Sequence, residues 1–155
     1  MKRRNQRGLT LIELVVAFTI LSALAAIALP LARLQIRVER EADLRYSLAE
    51  LRKAIDKYKD NCDAGYFGPP KLGSDCYPDS LDLLVDGKVL ANDPNGTKMK
   101  FLRRIPKDPF TGKYEWGMRN PQDDPTANSW GGTCVFEVYT KTELKAPDGT
   151  PYAEW

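Results

Sequence analysis

A chain of 155 residues has room for one modest domain and an appendage. It contains no histidine, which removes imidazole general-base catalysis, His-ligated zinc and haem attachment through C-x-x-C-H, and with them most enzyme classes. The formal charge of +2 is lopsided: Lys2, Arg3, Arg4 and Arg7 crowd the first eight residues, the other 19 basic residues face 21 acidic ones without a Lys/Arg run, and nucleic acid is a poor fit as partner.

The first element is a greasy helix. Leu9 to Ala32 is apolar except for Thr10, Glu13, Thr19, Ser22 and Pro30. About 24 residues at ~1.5 Å each cross the ~30 Å hydrocarbon core with some tilt. The basic residues before it predict a single pass with a cytoplasmic N-terminus, the rest of the chain lying beyond the membrane. A secretory signal has a shorter apolar region followed by a small-residue cleavage site. Here the run is longer and a small residue, Gly8, precedes it, although "LSALAAIALPLA" leaves later cleavage open on paper. Glu13 is the anomaly, since a carboxylate near the start of a membrane helix is costly.

From Arg33 the composition turns polar while the helical period persists. Leu44, Leu48, Leu51, Ile55 and Tyr58 form one apolar stripe, and Arg37/Glu41, Glu41/Arg45 and Asp56/Lys59 are spaced for charge pairs on the wet face. Pro30 kinks rather than ends the helix, so one bent helix is predicted from Leu9 to about Lys59, on the order of 75 Å long. The loop "DNCDAGYFGPPKLGSDCYPDS" follows. In an exported head, Cys62 and Cys76 would close a loop of roughly fifteen residues, worth about 3 kcal/mol; three buried thiols are the alternative, and Cys134 is left over, buried in a strand.

The rest of the chain must cover the apolar stripe. "SLDLLVDGKVL" predicts a short helix capped by Asp79 or Ser80, with Gly87 near its end. A strand is expected around Lys113–Met118. A second fits "GGTCVFEVYTKT", where Cys134, Phe136, Val138 and Thr140 alternate with Val135, Glu137 and Tyr139. A third, short one fits Pro151–Trp155 after the turn "PDGT". The expected fold class is α+β: a long N-terminal helix, half spanning and half amphipathic, packed on a small C-terminal antiparallel sheet.

"GLTLIEL" at 8–14, between the basic leader and an apolar helix carrying a late proline, resembles the N-terminal signature of type IV pilins and type II secretion pseudopilins. The residue after the glycine is most often Phe in that family and is Leu9 here. The resemblance implies a type IV pilin-like fold with no catalytic residues. It divides the chain into a leader at 1–8, a transmembrane and filament-core half-helix at 9–32, and a periplasmic head at 33–155. It implies cleavage between Gly8 and Leu9 by a prepilin peptidase that also N-methylates Leu9, and subunit assembly through Thr10, Glu13 and Pro30. In that assembly Glu13 pairs with the freed amine of a neighbouring copy, an arrangement that penalises a misplaced subunit. The helix is expected to loosen near Pro30 when it bundles.

"RRIPKDPFTGKYEW", with Pro106, Asp108, Pro109, Gly112 and Tyr114, is most similar to major pseudopilins. Type IVa pilins tend to carry a C-terminal cysteine pair, which this chain lacks. The implied partners are copies of itself, minor pseudopilins, an inner-membrane platform and a cytoplasmic ATPase. The implied location is the inner membrane before assembly and a periplasmic filament after it, with cell-surface display open. Major pseudopilins commonly hold Ca²⁺ between their last strands; here that stretch offers Glu143 and Asp148, with Asp123 and Asp124 nearby in sequence. Calcium wants six to eight oxygens, so the metal stays open. Two other readings are kept: a surface type IV pilin for adhesion, motility or DNA uptake, and a membrane-anchored binding module or electron carrier acting alone.

Overall fold

The computed structural model describes residues 10–91 and 93–155, without the side chains of Ile27, Leu29 and Pro30. Helix α1 spans Leu11–Asp63 and crosses the boundary between two compact units, one reaching to Glu39 and one spanning Arg40–Trp155. The absence of glycine from Leu9 to Ala64 and the abundance of Leu, Ala, Arg and Glu favour this length. The Thr10 hydroxyl caps its start by accepting from Glu13 N at 3.4 Å. At the other end Gly65, at φ +81°, donates to Cys62 O, and Tyr66 N donates to Asn61 O, the paired bonds of a Schellman stop. The helix therefore runs one turn past the expected Lys59 and takes Cys62 with it.

In the first unit, every described side chain from Thr10 to Ala26 is exposed, including Leu11 at 84% and Phe18 at 69%. In the second unit the stripe Leu44, Leu48, Leu51, Ile55 and Tyr58 is 0–5% exposed. It packs with Leu81, Leu84, Leu102, Trp116, Val135, Val138 and Tyr152 in one core. Tyr58, Phe67 and Phe101 form an aromatic cluster at one side of it.

Helix α2, Leu81–Asp86, has the expected Ser80 cap, and Gly87 closes it with its N–H on Leu83 O. A Cβ at Gly87 would stand 2.8 Å from Met99 O, so the close approach of β2 requires glycine there. Strands β1 (Lys88–Val89) and β2 (Lys98–Met99) form a two-residue antiparallel ribbon, and β3 (Gly117–Arg119) pairs antiparallel with β4 (Glu137–Tyr139). The Tyr139 ring lies across Gly117, where any Cβ would come within 2.2 Å of it, and under the Arg119 guanidinium at 4.0 Å.

Three strand expectations need correction. The strand expected at Lys113–Met118 begins only at Gly117, because the preceding residues close a turn (Asp108 N on Lys113 O) and Trp116 Nε1 donates to Pro106 O. The alternation from Cys134 to Thr140 fails: Cys134 and Val135 are both buried while Phe136 is half exposed. That segment lies between two neighbours, with Val135 N on Pro78 O and Phe136 N on Arg119 O, so neither face is a simple solvent face. Pro151–Trp155 is no strand. After one isolated bridge, Lys145 to Pro151, it coils into a 3₁₀ turn (Tyr152–Glu154) that buries the Tyr152 ring against Phe110 at 4.3 Å.

Candidate assembly and processing site

The two residues of the expected cleavage and methylation site, Gly8 and Leu9, lie outside the described residues, as does the side chain of Pro30. What is described begins one residue later. Thr10 is the helix N-cap and Glu13 the third helical residue, with Leu14 N on Thr10 O at 3.2 Å closing the first turn. A carboxylate in the first turn faces the positive end of the helix dipole. The pattern Thr-x-x-Glu before an apolar run is the capping-box signal, a local role for these two residues beside the assembly role that the resemblance implies. Glu13 is the only charged residue between Arg7 and Arg33. Thr19 satisfies its own hydroxyl by donating to Val16 O at 2.8 Å, as a polar group on an apolar helix must. This helix is long and apolar enough to cross a membrane.

In the head, Cys62 and Cys76 form a disulfide with Cα atoms 5.5 Å apart, across a separation of 14 residues. It fixes two consecutive non-glycine residues in the left-handed region, Asp75 (φ +46°) and Cys76 (φ +64°), and Lys59 Nζ donates to the Asp75 carbonyl. Cys134 is a buried free thiol just before β4. Burial pushes it above the ordinary thiol range, and Asp75, Asp79 and Asp123 push the same way.

The calcium candidates do not converge. Asp123 turns inward and accepts from the N–H groups of Asn120 (2.8 Å) and Gly131 (3.1 Å). Asp124 closes a turn on Thr126, accepting from its N–H and its hydroxyl, and Asp148 does the same with Thr150 N. These bonds hold both carboxyls below the usual range, the Thr126 hydroxyl first for Asp124 and the Thr150 N–H first for Asp148. Glu143 is exposed. Among the described residues no group of three or more His, Cys, Asp or Glu could hold a metal, and these donors do not fit a six- to eight-oxygen ion.

A buried carboxylate elsewhere has a structural task. Asp108 is fully buried; it accepts from Phe110 N (2.8 Å), Thr111 N (3.4 Å) and the Thr140 hydroxyl (2.6 Å), tying the 106–114 loop to the end of β4.

Residues 3–29 match the family model described as the prokaryotic N-terminal methylation motif. The chain is 30% identical to the type II secretion system core protein G of Aeromonas hydrophila, over 96% of this chain and 92% of that relative. It is 28% identical to the protein of the same name from Pseudomonas aeruginosa, over 79% of this chain and 83% of that one. No solved structure matches significantly.

Proposed function

This chain belongs to the type II secretion system core protein G family, and on that premise we propose that it is the repeating subunit of a periplasmic pseudopilus. Before assembly it is anchored in the inner membrane by the apolar half of α1, with the basic leader in the cytoplasm. A prepilin peptidase hydrolyses the Gly8–Leu9 bond, removing four positive charges that would hold the end at the cytoplasmic face, and methylates the new amine of Leu9. Copies then stack their apolar half-helices, extended from below by an inner-membrane platform and a cytoplasmic ATPase and capped by minor pseudopilins. The growing rod pushes folded proteins toward an outer-membrane channel. The subunit itself carries out no chemistry.

The observation that carries this reading is the lone carboxylate of Glu13 in the first turn of an otherwise apolar and exposed half-helix. Unpaired at the bilayer centre an acid would cost about 2.5–3.5 kcal/mol or more, and toward the helix end, where Glu13 lies, the cost is smaller. Paired with the amine of an adjacent copy it costs far less, so correct seating of each subunit is checked by charge. Intact-mass measurement of the mature protein tests the processing step. The expected species lacks residues 1–8 and carries one added methyl; a mature protein retaining its leader in wild-type cells refutes the reading.

A further inference from the structure

The carboxylates of the last third of the head do not gather around a metal, yet the segment after β4 is well tied down. Its own backbone closes it first. Ala146 N donates to Thr150 O at 2.8 Å, Gly149 N to Ala146 O at 2.9 Å and Tyr152 N to Leu144 O at 3.2 Å, so no cation is needed to fold the loop. Three residues of α1 then hold it from one side. Glu41, Arg45 and Arg52 are spaced by four and seven, which puts them on one face of the helix. The Tyr152 hydroxyl donates to Glu41 Oε1 at 2.6 Å. The Arg45 guanidinium lies 4.1 Å from the centre of the Trp155 ring. Arg52 reaches furthest: its Nε donates to Glu137 Oε1 of β4 at 2.8 Å, while its Nη2 donates to the Trp155 main-chain oxygen.

We infer that this segment is fastened by a metal-free clamp, anchored at Arg52, in place of the Ca²⁺ that major pseudopilins commonly hold between their last strands. A planar guanidinium suits the task, because its fixed fork bridges two acceptors on separate elements at once, whereas a lysine acts as a point charge. Arg45 over Trp155 adds a cation–π contact, and the Tyr152 and Trp155 rings meet edge to face at 4.8 Å, so the turn is held as a unit. The head is consequently indifferent to calcium. This inference concerns the folded head and stands or falls independently of the pseudopilus reading.

The test uses the full-length chain in detergent. Thermal unfolding with millimolar CaCl₂ and with excess EGTA is expected to give midpoints within about 1 °C of each other, since a ligand stabilises only the state it binds. Arg52→Ala lowers both midpoints equally, by a few degrees. Hydrogen exchange supplies the local readout: in Arg52→Ala, amides of 144–155 exchange at least tenfold faster while those of α2 keep their protection, and Arg52→Lys falls between. Should Arg52→Ala fail to fold, Tyr152→Phe removes the hydroxyl that donates to Glu41 and is expected to speed exchange in the same segment. A midpoint raised several degrees by Ca²⁺, saturable Ca²⁺ binding by calorimetry, or unchanged exchange in 144–155 would each overturn the inference.

Discussion

The two halves of α1 share one backbone and one period, and they meet opposite environments. From Thr10 to Ala26 the described helix is apolar but for Thr10, Glu13, Thr19 and Ser22 and buries none of its side chains within its own unit; from Leu44 to Tyr58 it keeps one apolar stripe and buries it at 0–5% exposure. The contrast separates two sources of stability. The second half is held by its own head, through core packing and a helix stop at Gly65. The first half is exposed apolar surface, long enough to cross a membrane, with one acid, Glu13, whose cost depends on its surroundings.

Substitutions can break that contrast or sharpen it. The largest effect is expected at Glu13: Glu13→Leu should abolish filament assembly and export in cells, while the thermal midpoint of the head, read by tryptophan fluorescence, stays within about 1 °C of wild type. Leu48→Ala should do the reverse. It removes a fully packed side chain from the head core and costs about 2–5 kcal/mol in denaturant unfolding, whereas Leu21→Ala, on the exposed half, leaves that stability unchanged. Replacing Cys62 and Cys76 by Ser should cost about 2–4 kcal/mol in the same assay, because the loop they close is freed in the unfolded chain and two left-handed residues lose their staple. Thr140→Val is expected to cost about 1–3 kcal/mol by leaving one oxygen of the buried Asp108 carboxylate without its donor.

Much of this architecture was legible in the sequence, and for local reasons. The apolar run, the Leu44–Tyr58 stripe, the Ser80 and Gly87 caps and the Cys62–Cys76 pair all follow from periodicity or short spacing. The sheets were not legible in the same way. β1 and β2 are two residues each, too short to show a period, and Phe136 falls out of phase because its neighbours Cys134 and Val135 are enclosed on both sides. The turn "PDGT" suggests a strand at Pro151–Trp155, but the burial of Tyr152 against Phe110 goes with a coiled segment there. The clamp was invisible for a simpler reason: Arg52 finds its partners 85 and 103 residues away, and nothing in its own neighbourhood announces them.

The smallest expected effect concerns acid. The carboxyls of Asp124 and Asp148 titrate below their ordinary range because bonds from Thr126 and Thr150 favour the charged form. A depressed folded value means the stabilisation is present at neutral pH and is lost as pH falls through that value. Thermal midpoints measured from about pH 6 to about pH 3 should therefore decline gently, and replacing both residues by Asn should flatten part of that decline. Both carboxylates are fully exposed, so the change is a slope rather than a collapse.

The most direct measurement is a helical reconstruction of filaments isolated from cells, at a resolution that shows side chains. The account predicts that the methylated amine of Leu9 in one subunit lies within about 4 Å of the Glu13 carboxylate of the next, the distance of an ion pair. Filaments of normal geometry in which Glu13 faces only apolar neighbours or solvent, with the amine elsewhere, would contradict it.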